Sequence, residues 1–168
     1  THLMGGVDDP DPSIGFFSDT LKEKGWQLAH IGKWHIGTDQ NKPSDHGYDD
    51  LPYYPGYGYP SRHPHYVEYL KKHGVNGFNL LSEKKDPTGL RPSSGLQEGP
   101  QSASIPAYLA NQTIDVINRF IGSDNPFFVS CNFWGPHAPY NITKKHLEMY
   151  RGADIRAWPN FNCDLSDK

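Results

Sequence analysis

Gly25-Trp26-Gln27-Leu28-Ala29-His30-Ile31-Gly32-Lys33-Trp34-His35-Ile36-Gly37 is the stretch on which the fold turns. Trp26 to Ile31 is an apolar, strand-like run, and at its end stand a lysine and a histidine two residues apart. Gly32 and Gly37 bracket the pair, so the backbone there is free to turn sharply or to approach a ligand closely. Upstream, Ile14, Phe17 and Leu21 recur at i, i+3 and i+7, which predicts a short helix over Ser13 to Lys24 with Ser13 as N-cap and Gly25 as its stop. Helix, stop and strand together make one αβ unit.

A second unit follows downstream. Ser104 to Ile121 reads as the clearest helix, with Ser104 at the N-cap, Pro106 in the first turn and Gly122 after the end. Leu109, Val116, Ile117 and Phe120 supply most of its buried stripe. Asp124-Asn125-Pro126 then turns the chain into Phe127 to Phe133, a nearly continuous apolar run that suits a central strand covered on both faces. That strand leads into Trp134-Gly135-Pro136-His137-Ala138-Pro139. Shorter helices are expected over His65 to His73, with Tyr66, Tyr69 and Leu70 on one side, and over Thr143 to Tyr150. Residues 38–65 and 82–102 are rich in Pro, Gly, Asp, Ser and Tyr and read as irregular.

Helix, strand, loop, helix, strand, loop is an α/β pattern. In open parallel sheets, ligands bind beyond the carboxyl ends of the strands. If the two strands are parallel, Lys33, His35 and His137 lie along one edge of the sheet, as an anion-handling site would require.

The bulk numbers narrow the function classes. The 168 residues suffice for one domain with a real core. A net charge of −3, with no basic run longer than pairs such as Lys71-Lys72 and Lys144-Lys145, gives no nucleic-acid footprint. No apolar run reaches the ~20 residues that span a bilayer. The chain begins at Thr1, and the expectation is an internal piece of a longer protein. Cys131 lies in the apolar strand, where a buried thiol is the plain expectation, and Cys163 in a polar tail; whether they pair is left open.

Each candidate has a bland alternative. Lys33 is suited to act as a point charge for an oxyanion or phosphate-like group, or it is a lysine snorkelling at a strand end. The surrounding residues do not form a P-loop, because Gln27 stands where the first glycine belongs and Trp34 follows the lysine. His35 and His137 are candidate acids or bases, against a core histidine and a turn residue respectively. The prolines around His137 hold it stiffly, which suits a catalytic acid. Matching positions at two strand ends favour the functional reading. His63-Pro64-His65 lacks zinc-like partners, and Asp49-Asp50 reads as a solvated turn before a cation site. Asn111 and Asn141 fit the glycosylation sequon, a pattern frequent by chance. The tyrosine-rich loop 48–60 is read as packing over the domain edge before stacking on a sugar.

The stretch Gly25 to Gly37 closely resembles the second sulfatase signature, G-Y-x-T-x-x-I-G-K-W-H-L-G. Pro126-Phe127-Phe128 through Pro136-His137-Ala138-Pro139 is similar to the family's later P-F-F…P-H-x-P segment, and His46-Gly47-Tyr48-Asp49 to its H-G-F-D turn. Trp26, Leu28 and Ile36 depart from the pattern at packing positions only.

The resemblance implies an alkaline-phosphatase-like α/β fold, a mostly parallel sheet sandwiched by helices. Residues 1–168 would be part of an N-terminal catalytic domain, without its nucleophile segment and C-terminal part. It implies hydrolysis of sulfate monoesters, small-molecule or carbohydrate, to alcohol and sulfate. Lys33 would bind a sulfate oxygen, His35 would contact the formylglycine hydrate, and His137 would protonate the leaving alcohol. Formylglycine and Ca²⁺ (or Mg²⁺) are the implied cofactors. The formylglycine precursor C/S-x-P-x-R occurs nowhere in the chain, nor do the family's Asp and Asn metal ligands, so neither Cys131 nor Cys163 is the precursor. These 168 residues alone are therefore expected to show little or no turnover. A periplasmic, secreted or lysosomal compartment rests on the resemblance alone. The alternatives are a phosphodiesterase or phosphonate monoester hydrolase of the same superfamily, and a degenerate module that only binds sulfated ligands.

Overall fold

The computed structural model describes residues 8–38, 41–49, 51, 55–56, 63–75, 94–97, 99–137 and 140–159. The first helix, α1 (Phe17–Glu23), starts four residues later than the apolar spacing suggests. Ser13 is drawn instead into a turn by Asp11, whose Oδ1 accepts its backbone N–H at 2.9 Å. Asp19 Oδ2 then reaches back to accept the Phe16 N–H at 2.9 Å and fixes the helix start there. The helix stops at Gly25, whose φ of 81° suits glycine. The Trp26 N–H bonds back to the Leu21 carbonyl and the Gly25 N–H to that of Lys22, so the last carbonyls are satisfied as the chain enters the sheet.

The strands β1 (Gln27–Lys33), β2 (Pro55–Gly56) and β4 (Phe127–Asn132) form one parallel sheet in the order β2-β1-β4. Two further strands, β3 (Ser94–Gln97) and β5 (Tyr140–Thr143), pair in parallel as a separate ribbon. Alternation along β1 builds two layers, because successive side chains point to opposite faces. Ala29 and Ile31 pack with α2 (Pro64–Lys72) and α3 (Ile105–Ile121), through Tyr66, Leu70, Tyr108, Leu109, Val116 and Phe120. Leu28 faces the other way, into a cluster with Trp34 and Tyr48, against which Leu21, Trp26 and Phe128 pack. Both faces of β1 are thus covered, as a parallel strand requires. Trimming a fully buried member such as Leu109 to alanine would cost about 2–5 kcal/mol.

α3 begins where its sequence suggests: the Ser104 Oγ accepts the Ala107 N–H at 3.3 Å. α4 (Lys144–Tyr150) follows β5 directly, with Thr143 as its N-cap. Four expectations need correction. β1 runs two residues further than Ile31, so Lys33 ends the strand rather than following it. Among the described residues β4 is not central but β1 is, and β4 is only half-buried along most of its length, with no described strand on its outer edge. The segment 38–65 contains a 3₁₀ turn, Pro43–His46, and the short β2, which takes its order from hydrogen bonding to β1. The segment 82–102 contains β3 and a 3₁₀ turn, Gln101–Ala103. Tyr48 does pack inward, at 7% exposure, whereas Tyr53, Tyr54, Tyr57 and Tyr59 lie outside the described residues.

Candidate active site at the ends of β1 and β4

The parallel register pairs Gly32 with Asn132, so the two strands finish level and their following segments emerge side by side. Gly32 makes this closeness possible. Its φ is 98°, and a Cβ there would stand 2.0 Å from the Asn132 carbonyl oxygen. Such a position marks close backbone approach and tolerates only glycine.

Around this junction polar groups fix the Lys33 backbone. Its carbonyl oxygen lies 3.2 Å from His30 Nε2 and 3.4 Å from the donating Asn132 Nδ2. Ser130 Oγ in turn donates to Asn132 Oδ1 at 3.1 Å. His30 is 4% exposed and meets Trp34 and Tyr48 edge-on. Burial holds its pKa below the usual imidazole value, against the opposing effect of the Lys33 and Gly32 backbone hydrogen bonds. A neutral His30 that donates from Nε2 to the Lys33 carbonyl follows.

The Lys33 side chain leaves the strand end and sets its Nζ over the Trp134 ring, 4.5 Å from the centroid. Trp134 also meets the His137 imidazole edge-on, with centroids 5.6 Å apart. The His137 backbone N–H donates to the Trp134 carbonyl at 3.2 Å, which closes the tight loop after β4. The peptide between Gly135 and Pro136 is cis. His35 is exposed at the surface, yet its pKa is lowered by partial desolvation first, then by the Lys33 charge and by His137. His35 therefore feels both the Lys33 charge and His137, and the electrostatics favour its neutral form.

The loop that carries His35 is anchored from behind. Trp34, 5% exposed, donates from Nε1 to Asn41 Oδ1 at 3.0 Å. Thr38 donates its backbone N–H to Asp9 Oδ1 at 2.8 Å. In front lies an open groove of about 430 Å³, lined by Lys33, His35, Ser130, Asn132 and Phe133 among others. Among the described residues His137 is outside that lining and joins the set through Trp134.

The other candidates go elsewhere. His63 and His65 stack on each other, 5.6 Å apart, at the start of α2. Asp49 forms an ion pair with Lys22 of α1, and Asp50 lies outside the described residues. Asn111 donates to the Tyr69 hydroxyl at 2.9 Å from the middle of α3, and Asn141 lies in β5. Cys131 carries a free thiol on β4, and Cys163 is outside the described residues. Ser104-Ile105-Pro106-Ala107-Tyr108 matches part of C/S-x-P-x-R, but Tyr108 replaces the arginine and Ser104 is engaged as a helix cap. Among the described residues no three His, Cys, Asp or Glu side chains are grouped to hold a metal ion. The described residues therefore make no cage for a cation.

His30, Asn132 and Trp134 were missed as members of the site. The signal was present for two of them: a histidine and an asparagine inside otherwise apolar strands ask for polar partners.

These elements define an α/β protein with a cation and two imidazoles at the carboxyl edge of a parallel sheet. The chain belongs to the sulfatase family, whose model matches residues 7–160. It is 21% identical over 173 residues to the uncharacterized sulfatase YidJ of Escherichia coli (strain K12), across 95% of this chain and 30% of that protein. Crystal structures of Ps i-CgsB, alone and in complex with k-i-k-neocarrahexaose, superpose with a TM-score of 0.52 at 20% identity, over 90% of this chain and 34% of theirs. That likeness shows the fold, and the chain is a partial sulfatase domain spanning about a third of the length of these relatives.

Proposed function

We propose that these residues are part of the N-terminal catalytic domain of an enzyme that hydrolyses sulfate monoesters to an alcohol and inorganic sulfate, with the nucleophile segment and C-terminal part outside residues 1–168. The observation that carries the reading is the meeting of Lys33, His35 and His137 where β1 and β4 end side by side. The Lys33 ammonium neutralises a sulfate oxygen and stabilises the charge that grows as the S–O bond breaks. His137 hands a proton to the departing alcohol oxygen. His35, held neutral, is a proton acceptor beside them.

The family's formylglycine and divalent cation would be supplied by segments beyond these residues. Ps i-CgsB was crystallised with k-i-k-neocarrahexaose, which supports a sulfated carbohydrate as the substrate class.

The test uses the parent protein and 4-nitrophenyl sulfate. Lys33→Ala and His137→Ala should each lower kcat/KM by at least about a hundredfold. Normal turnover in either variant sinks that residue's assignment. Preference of the wild type for bis(4-nitrophenyl) phosphate would overturn the sulfate reading. Residues 1–168 alone should release no 4-nitrophenol.

A further inference from the structure

We infer that Trp134 is a positioning residue that holds the Lys33 ammonium and the His137 imidazole at a fixed separation. This rests on the roles given to Lys33 and His137 above. A tryptophan kept only for packing would bury its ring among apolar neighbours. Trp134 is half-buried, and its ring is flanked by charge and imidazole: Lys33 Nζ 4.5 Å above its face, His137 at 5.6 Å and edge-on. Its main chain belongs to the same arrangement, because its carbonyl accepts the His137 N–H at 3.2 Å.

The chemistry suits the task. The negative face of an indole attracts an ammonium without taking its N–H bonds. Lys33 is thereby held over one surface while its donors stay available for the oxygens of a sulfate ester. A carboxylate in the same place would cancel the charge the substrate needs. A leucine would fill the space but leave the long lysine stem free to swing, and small misplacement at a reacting centre is costly in rate.

The test is a double-mutant cycle in the parent protein on 4-nitrophenyl sulfate. Trp134→Leu should lower kcat/KM by roughly three- to thirtyfold, the range expected for a cation held over a ring. Trp134→Phe should recover most of that loss, since any aromatic face attracts the cation. In a Lys33→Met background Trp134→Leu should cost clearly less than in the wild type, because only the His137 contact is then left to lose. Equal losses in the Leu and Phe variants, or strict additivity with Lys33→Met, would show that the tryptophan only packs. If the parent prefers bis(4-nitrophenyl) phosphate, the sulfate reading fails, and the same cycle on that ester still tests Trp134. A readout independent of turnover is the resonance of ¹³C-dimethylated Lys33, assigned by its loss in Lys33→Arg. It should lie upfield of the other lysines and move back among them in Trp134→Leu. An unshifted resonance overturns the inference whatever the activity.

Discussion

Replacing Gly32 with alanine should damage the domain far more than the same change at Gly25, although both glycines have positive φ. At Gly25, with φ of 81°, an added Cβ meets nothing within 4 Å. Only the left-handed backbone resists it, at about 1–2 kcal/mol. At Gly32, with φ of 98°, the Cβ would fall 2.0 Å from the Asn132 oxygen and 2.9 Å from its carbonyl carbon. Both atoms are backbone of the paired strand, so no rotamer change relieves the clash. β1 and β4 must separate by roughly 1 Å, since unbonded carbon and oxygen need more than ~3 Å.

The bonds at risk are those that cross between the strands, the Asn132 Nδ2 bond to the Lys33 carbonyl and the adjoining β1–β4 ladder bond, each worth about 1 kcal/mol. With the backbone strain of about 1–3 kcal/mol, the expected loss is on the order of 3–5 kcal/mol. Thermal unfolding of the parent protein, scanned identically for both variants, measures the contrast. Gly32→Ala should also lower kcat/KM about a hundredfold, because it displaces Lys33 relative to the loop of Trp134 and His137. Gly25→Ala should leave kcat/KM within about threefold, since α1 touches none of these groups through Gly25. Equal melting temperatures for the two variants would refute the close approach of the strands.

The pKa of His35 lies below the usual imidazole value partly because Lys33 is nearby, so Lys33→Met should raise it toward ~6.5, read from the His35 ring protons by NMR; an unmoved titration would place the two groups apart. Buried His30 has a lowered pKa, so the unfolded chain binds its proton first as pH falls. His30 therefore costs the fold nothing above ~6.5 and destabilises it progressively as pH drops through ~6.5 toward the lower folded value. His30→Gln should flatten the denaturant midpoint across that window, and an unchanged pH dependence would count against the buried neutral imidazole. Tyr66 donates its hydroxyl to the Ala103 carbonyl at 2.8 Å in the core, and Tyr66→Phe should cost about 1–2 kcal/mol by urea unfolding; a shift under a few tenths would deny that bond its weight.

Much of the fold was legible because the governing forces are local. The 3.6-residue stripe of Leu109, Val116 and Phe120, capped by Ser104, specifies α3 without reference to anything else. The apolar runs of β1 and β4 and the glycine stops are likewise carried by the residues themselves. What was not legible depends on partners far along the chain. Asp19 reaches back to Phe16 and Asp11 captures Ser13, so the start of α1 was settled by competition between carboxylates. β3 has no strand signal of its own and exists because β5 runs beside it. β4 has the composition of a central strand, but composition reports which surfaces a strand can bury, not which neighbours lie within a given stretch of chain. At the site, Lys33 and His35 follow from the strand end, while the contact of one Trp134 ring with both Lys33 and His137 joins segments far apart in the chain and has no local signal.

Alternation along β1 sorts its side chains into two layers. Even positions Leu28, His30 and Trp34 face the Tyr48 side, where Leu28 and Trp34 join the core and His30 binds the Lys33 carbonyl. Odd positions Ala29 and Ile31 face α3 as far as the strand has cover. Lys33 closes the strand at the edge of an open groove and the exposed His35 follows it, and the same groove is lined by His30, Trp34 and Tyr48, so the anchoring side chains also form its wall. A single-residue insertion before Gly32 would shift the register and set a Cβ against the Asn132 carbonyl oxygen, where the backbone leaves room only for glycine.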